Sequence, residues 1–184
     1  QFRSVPGLEL ISTLSAHKSS VAAGEFNTRG DIFVSGSKDG KLIVWDWKNK
    51  KQLSATKFED AVTDLKIHPK REEIAVGTAG GNFEIWSLLE AEQLQNINKF
   101  EAALTQVAFD NNGQRIISSL ENGSVHIWEY STSLHLKTLS GHERPVESLD
   151  FSFDSKRLIS SAADKSVRVW ELGSSEAPEK FEMG

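Results

Sequence analysis

LSGHERPVESLDFSFDSKRLISSAADKSVRVWEL, residues 139–172, carries apolar residues at a spacing of two in three short runs, VESLDF, RLISSA and SVRVW. A spacing of two puts alternate side chains on one face of a strand, whereas a helix face needs a spacing of three to four. Polar clusters separate the runs, so the stretch reads as antiparallel strands joined by tight connections.

Upstream, the same pattern returns three more times. Trp45, Trp86, Trp128 and Trp170 stand in one column, with steps of 41, 42 and 42 residues. Val21, Val62, Leu104 and Val146 keep these steps, as do Phe26, Ile67, Phe109 and Phe151, and again Phe33, Ile74, Ile116 and Leu158. The one-residue difference falls between Trp45 and Val62, in a connection that tolerates length change. A period of about 40 to 45 residues marks stacked supersecondary units. Each unit reads as four strands. The third is entered through a dipeptide such as Asp39-Gly40 or Asn122-Gly123, which accommodates a tight hairpin, and ends in the tryptophan. The fourth, QLSATK or LHLKTL, is more polar, as suits a strand at a solvent edge.

Composition narrows the class. Of 184 residues, 38% are hydrophobic and 26% charged, which fits a globular chain rather than a disordered one. The longest apolar runs, such as Leu42 to Trp45, are far shorter than the roughly 20 residues of a membrane-spanning helix. There is no Cys, so neither a disulfide framework nor a thiolate zinc site can form, and a reducing cytoplasmic or nuclear setting is expected. A net charge of −5 offers polyanions no general attraction, so nucleic acid is unsupported as a direct partner. The opening Gln1-Phe2-Arg3-Ser4, without an initiator Met, suits a piece of a longer chain.

The four registered units resemble the WD-repeat family, whose four-stranded blades build β-propellers and carry GH and WD dipeptides. Gly141-His142 and Trp170-Glu171 in the fourth unit and Trp45-Asp46 in the first carry the likeness, which covers nearly the whole chain. It implies an all-β fold, a single WD-type propeller segment over residues 1–184, with four-stranded antiparallel blades at 15–56, 57–98, 99–140 and 141–184. Residues 8–14, LELISTL, read as the outer strand of a preceding or closing blade, and APEKFE near the C-terminus as a weak outer strand. Four blades lie at the low end of the family range, so the segment is expected to be an arc of a ring of about seven or eight. Its two end faces would be apolar patches completed by further blades or by another chain.

The resemblance also implies a buried hydrogen-bonded set in each well-formed blade: His17, Ser35, Asp39 and Trp45 in the first, His142, Ser160, Asp164 and Trp170 in the fourth. In the second and third blades Phe58 and Phe100 take the His column, and Gly80 and Asn122 the Asp column. Joint loss is what energetics demands, because a buried Asp without its His is costly while replacement of both is nearly neutral.

His17, Ser35 and Asp39 are also the residue types of a hydrolase triad. The same trio at the same spacing in the fourth blade argues for a structural repeat rather than a catalytic site, and no Gly-x-Ser-x-Gly elbow is present. GSKDGK, residues 36–41, is too short for a phosphate loop and is followed by Leu42 where Ser or Thr belongs. The five histidines, His17, His68, His126, His135 and His142, show no metal-ligand spacing. No catalytic residue, cofactor or metal is therefore expected.

What the family likeness implies is a non-catalytic protein–protein interaction scaffold, a subunit of a multiprotein complex binding other proteins or peptides. Candidate contacts lie on the face with the turn Asp: Lys18, Lys38, Glu59, Glu121, Glu143 and Arg144. Two alternatives are an RNA-associated ribonucleoprotein assembly factor and a ubiquitin-ligase substrate receptor. The first would want more than the short basic run Lys48-Asn49-Lys50-Lys51, and the second an Arg two residues after Trp-Asp, where Lys48 stands.

Overall fold

A computed structural model describes residues 2–3, 10–173 and 179–182. Two short strands, β1 (Phe2–Arg3) and β2 (Leu10–Ser12), pair with each other ahead of the blades. Four antiparallel sheets of four strands follow, each wound in chain order. The first holds β3 (Val21–Phe26), β4 (Ile32–Ser37), β5 (Lys41–Asp46) and β6 (Lys51–Lys57). The second holds β7 (Val62–Ile67), β8 (Glu73–Thr78), β9 (Asn82–Ser87) and β10 (Gln93–Lys99). The third holds β11 (Leu104–Phe109), β12 (Arg115–Leu120), β13 (Val125–Glu129) and β14 (Leu134–Leu139). The fourth holds β15 (Val146–Phe151), β16 (Arg157–Ala162), β17 (Ser166–Glu171) and β18 (Glu179–Glu182). Among the described residues there is no helix long and apolar enough to cross a membrane.

The first strands lie innermost, β3 against β7, β7 against β11 and β11 against β15, so the sheets fan out around an axis as propeller blades do. Each bulges near its start, with register shifts between Val21 and Ala23, Val62 and Asp64, Leu104 and Gln106, and Val146 and Ser148. The extra residue increases local twist. The fourth strands bulge too: Trp45, Trp86 and Trp128 pair with Gln52, Gln93 and His135, leaving Leu53, Leu94 and Leu136 unpaired and exposed. The turn into the third strand needs positive φ, met by Gly40, Gly81 and Gly123 at 76°, 86° and 86° and by Lys165 at 64° in the fourth blade.

Three apolar clusters lie between successive blades. Val34, Val44, Val62 and Leu65 join blades one and two; Phe83, Ile85, Leu104 and Ile116 join two and three; Ile117, Ile127, Val146 and Leu158 join three and four. At Gly36 a Cβ would lie 2.6 Å from Val62 Cγ1, so that contact between blades requires glycine.

Equivalent positions differ sharply at the ends of the stack. Val62, Leu104 and Val146 are 0%, 0% and 1% exposed, but Val21 in the same column is 55% exposed. Ile159 is 47% exposed where Val34, Ala75 and Ile117 are fully buried. Both end blades therefore present an uncovered face. Within residues 8–14, Leu8 and Glu9 lie outside the described residues, and Leu10–Ser12 pairs with Phe2–Arg3. The outer position of the fourth blade is taken by Glu179–Glu182.

Candidate functional site

In the first and fourth blades a chain of polar side chains runs from the tryptophan to the turn aspartate. Trp45 Nε1 donates to Ser35 Oγ at 3.0 Å, Ser35 Oγ lies 2.8 Å from His17 Nε2, and His17 Nδ1 lies 3.4 Å from Asp39 Oδ1. The fourth blade repeats this with Trp170 to Ser160 at 2.9 Å, Ser160 to His142 at 2.8 Å and His142 to Asp164 at 2.9 Å. The protons assign themselves if each is used once: indole N–H to serine, serine O–H to Nε2, and Nδ1–H to the carboxylate. The strand register explains the convergence, since Ser and Trp share one face of neighbouring strands and the Asp opens the hairpin between them.

Backbone donors complete each carboxylate. The amides of Lys18 and Lys41 reach Asp39 at 2.6 and 2.9 Å. Burial acts to raise the Asp39 pKa, but these amides, with Ser37 and His17, outweigh it and hold it at about 2. For Asp164 burial is likewise overcome, by the Ser166 hydroxyl, His142 and the amides of Ser166 and Glu143, and the carboxyl sits well below its ordinary range. Ser35 and Ser160 are buried and already engaged by an indole, so neither hydroxyl is placed to attack a substrate.

Blades two and three solve the same interior differently. In the second, Val76 stands in the serine column, Trp86 Nε1 donates to Glu84 Oε2 at 2.9 Å, and Phe58 packs edge-on against Trp86. Over Gly80 the Asp60 side chain fills the room that a Cβ would need, with Oδ2 only 1.7 Å from that position. In the third, Phe100 sits against Trp128, but Ser118 Oγ and Trp128 Nε1 are both buried without a hydrogen-bond partner among the described residues. Joint replacement of His and Asp is thus complete in the second blade and leaves two orphaned polar atoms in the third.

The six candidate contacts, Lys18, Lys38, Glu59, Glu121, Glu143 and Arg144, are all exposed. The structure brings two of them together: Lys38 and Glu121 stand at a cavity of about 540 Å³ on the axis, lined by Ala22, Ala61, Leu104 and Val146 of the innermost strands and their approaches. Lys18, Glu59, Glu143 and Arg144 do not line it.

A larger cavity, about 920 Å³, lies among the turns between first and second and between third and fourth strands of blades two to four. Sequence reasoning missed it. His68, Tyr130 and Arg115 organise it. Buried His68 has Nε2 3.0 Å from the Gly113 carbonyl and accepts the Lys70 amide at Nδ1, so it bridges two blades as a neutral ring; burial pushes its pKa down. Arg71 stacks over Tyr130, and Arg115 pairs with buried Asp110 at 3.2 Å while lying over Phe151. The one available signal was Tyr130, the single tyrosine of the chain, where the repeat elsewhere has Trp47, Leu88 and Leu172.

Residues 8–46, 92–129 and 133–171 match the WD domain, G-beta repeat, which is more than half of the chain. The chain belongs to the WD40 family. Residues 47–91, which include the first three strands of the second blade with its altered interior, fall outside the match. As a WD40 protein it is, in general terms, an interaction scaffold. Among curated relatives it is 35% identical over 86 residues to the Periodic tryptophan protein 2 homolog of Neurospora crassa, 46% of this chain and 10% of that protein. It is 30% identical over 80 residues to the small ribosomal subunit protein RACK1z of Arabidopsis thaliana, 44% of this chain and 24% of that one. The WD40 segment here thus spans about a tenth of the length of the first relative. The crystal structure of the computationally designed Ika4 protein superposes with a TM-score of 0.78 at 27% identity, covering 88% of this chain and 96% of that one.

Proposed function

We propose that the chain is a non-catalytic WD40 scaffold that takes a protein or peptide segment at the axial mouth, as a subunit of a multiprotein complex. The observation that carries this reading is the pairing of a small-residue apolar cavity with opposite charges at its rim, Lys38 and Glu121. Apolar depth supplies burial and a few placed polar groups supply orientation, the usual division of labour in a binding site. Lys18, Glu59, Glu143 and Arg144 extend the same face as outer contacts.

A second reading, an RNA-associated ribonucleoprotein assembly factor, is favoured by the likeness to a small ribosomal subunit protein, which also supports an intracellular location, cytoplasmic or nuclear. Affinity capture with cross-linking mass spectrometry, with and without nuclease, separates the two. The scaffold reading expects cross-links at the axial mouth that survive nuclease and disappear in the charge-reversed pair K38E/E121K. Partners that vanish on nuclease treatment would replace it with the ribonucleoprotein reading, and cross-links confined to the opposite face would overturn the assignment of the surface.

A further inference from the structure

Three of the five histidines are absorbed by the fold: His17 and His142 by their aspartates, His68 by the Gly113 carbonyl. His126 and His135 are not. They lie nine residues apart on β13 and β14, a separation with no metal signature, yet the hairpin brings them face to face. The bulge at Leu136 does this: Trp128 pairs with His135 while Ile127 pairs with Lys137, and His126 pairs with Thr138. The extra residue rotates His135 onto the face that already carries His126, Trp128 and Thr138.

His126 Nδ1 lies 3.4 Å from His135 Nε2, and Thr138 Oγ1 lies 3.1 Å from each. With zinc–nitrogen bonds of about 2.0–2.1 Å and a tetrahedral angle, two imidazole ligands of one ion stand about 3.3 Å apart. The observed spacing matches that edge. The tautomer is also set. The Ser124 amide and hydroxyl both donate to Asn122 Oδ1, at 3.0 and 2.7 Å. With its proton spent there, Ser124 Oγ accepts from His126 Nε2 at 3.0 Å, which leaves the Nδ1 lone pair directed at His135 and Thr138. A ligating histidine held by a hydrogen bond at its other nitrogen is the usual arrangement around protein-bound metals. Both rings are further fixed by aromatic neighbours, His126 by Phe100 at 4.9 Å and His135 by Trp128 at 4.7 Å between centroids.

We propose that His126 Nδ1 and His135 Nε2, with the Thr138 hydroxyl beside them, form a rim site for one divalent first-row transition-metal ion such as Zn²⁺ or Ni²⁺. Imidazole nitrogen selects these ions over Mg²⁺ and Ca²⁺, which take oxygen ligands. Among the described residues no group of three or more His, Cys, Asp or Glu converges on one point, so solvent or a side chain from a bound protein completes the coordination. His135 and Thr138 are exposed, which leaves that position open.

Calorimetric titration of the tag-free chain with ZnCl₂, and separately NiCl₂, with MgCl₂ as control, tests this. One ion per chain is expected, with no response to Mg²⁺. Ser124→Ala, which releases His126 Nε2, weakens binding about 10- to 100-fold, and His135→Gln or His126→Gln weakens it further. Ni²⁺ quenches part of the indole fluorescence, through Trp128, in the parent chain and not in His135→Gln. Absence of saturable Zn²⁺ binding, or binding and quenching unchanged in His135→Gln with a parental thermal melt, overturns the proposal.

Discussion

Blades one and four are held from within by a polar chain running from tryptophan to aspartate; blades two and three lack that chain, and buried side chains bond across the seam between them. Asp64 of the second blade accepts the Val107 amide of the third at 2.9 Å, and His68 bonds the Gly113 carbonyl, both from buried positions. The lesson is that the repeat conserves a shape rather than a chemistry. Strand spacing, bulges and indole positions recur in the first three blades, while the interior between hairpin and indole is filled by a hydrogen-bonded histidine in one case and a phenylalanine in another. What the polar solution adds is directional bonding; what the apolar one adds is buried area with no proton to place.

The largest effect is expected where an apolar blade loses its plug. Phe58→Ala removes a buried ring and should cost about 3–5 kcal/mol in urea denaturation. Phe100, only half-buried, should cost less on the same substitution. Equal losses would break the distinction between the two apolar blades. His142→Ala comes next, at about 1–3 kcal/mol, because Asp164 and Ser160 lose the partner between them. A melting temperature unmoved by this change would refute the structural role of the polar chain. His17→Ala should cost less than His142→Ala, since its carboxylate contact is 3.4 Å rather than 2.9 Å.

Smaller and opposite in sign is Ser118→Ala. The Ser118 hydroxyl is buried without a partner among the described residues, so its removal should be neutral or stabilising by up to about 1 kcal/mol, whereas Ser160→Ala is destabilising. Parallel denaturation curves for the two variants check this, and a matched loss would show that Ser118 is satisfied after all. The smallest effect concerns acid. His68 has its pKa lowered by burial, so the unfolded chain binds the proton more readily; its contribution is complete above about pH 6.5 and declines as pH falls below that value. His68→Gln should flatten the fall in stability between pH 7 and pH 5. Asp39 acts in a lower window, its contribution intact above about 3.8 and lost as pH falls toward 2.

Much of the architecture is legible without coordinates, because a strand period of two says which side chains share a face, and four aligned columns say that the faces are equivalent. Val62, Leu104 and Val146 needed no more than that. The bulge at Leu136 is different: periodicity does not reveal where one extra residue enters a ladder, and that residue alone decides that His135 meets His126. The buried orphans Ser118 Oγ and Trp128 Nε1 were hidden for a related reason, since their columns match the first and fourth blades and only the absence of the intervening histidine strands them. The cavity around His68 draws on turns from three blades, a juxtaposition that depends on how sheets fan rather than on any single repeat.

The uncovered Val21 side of the first blade and the uncovered Ile159 side of the fourth are different surfaces. Contact between the Val21 side of one molecule and the Ile159 side of another would be head-to-tail, and such unions either close into a circle after a whole number of copies or continue as a filament. Light scattering against concentration distinguishes those fates, and a lysine in place of Ile159 would arrest both.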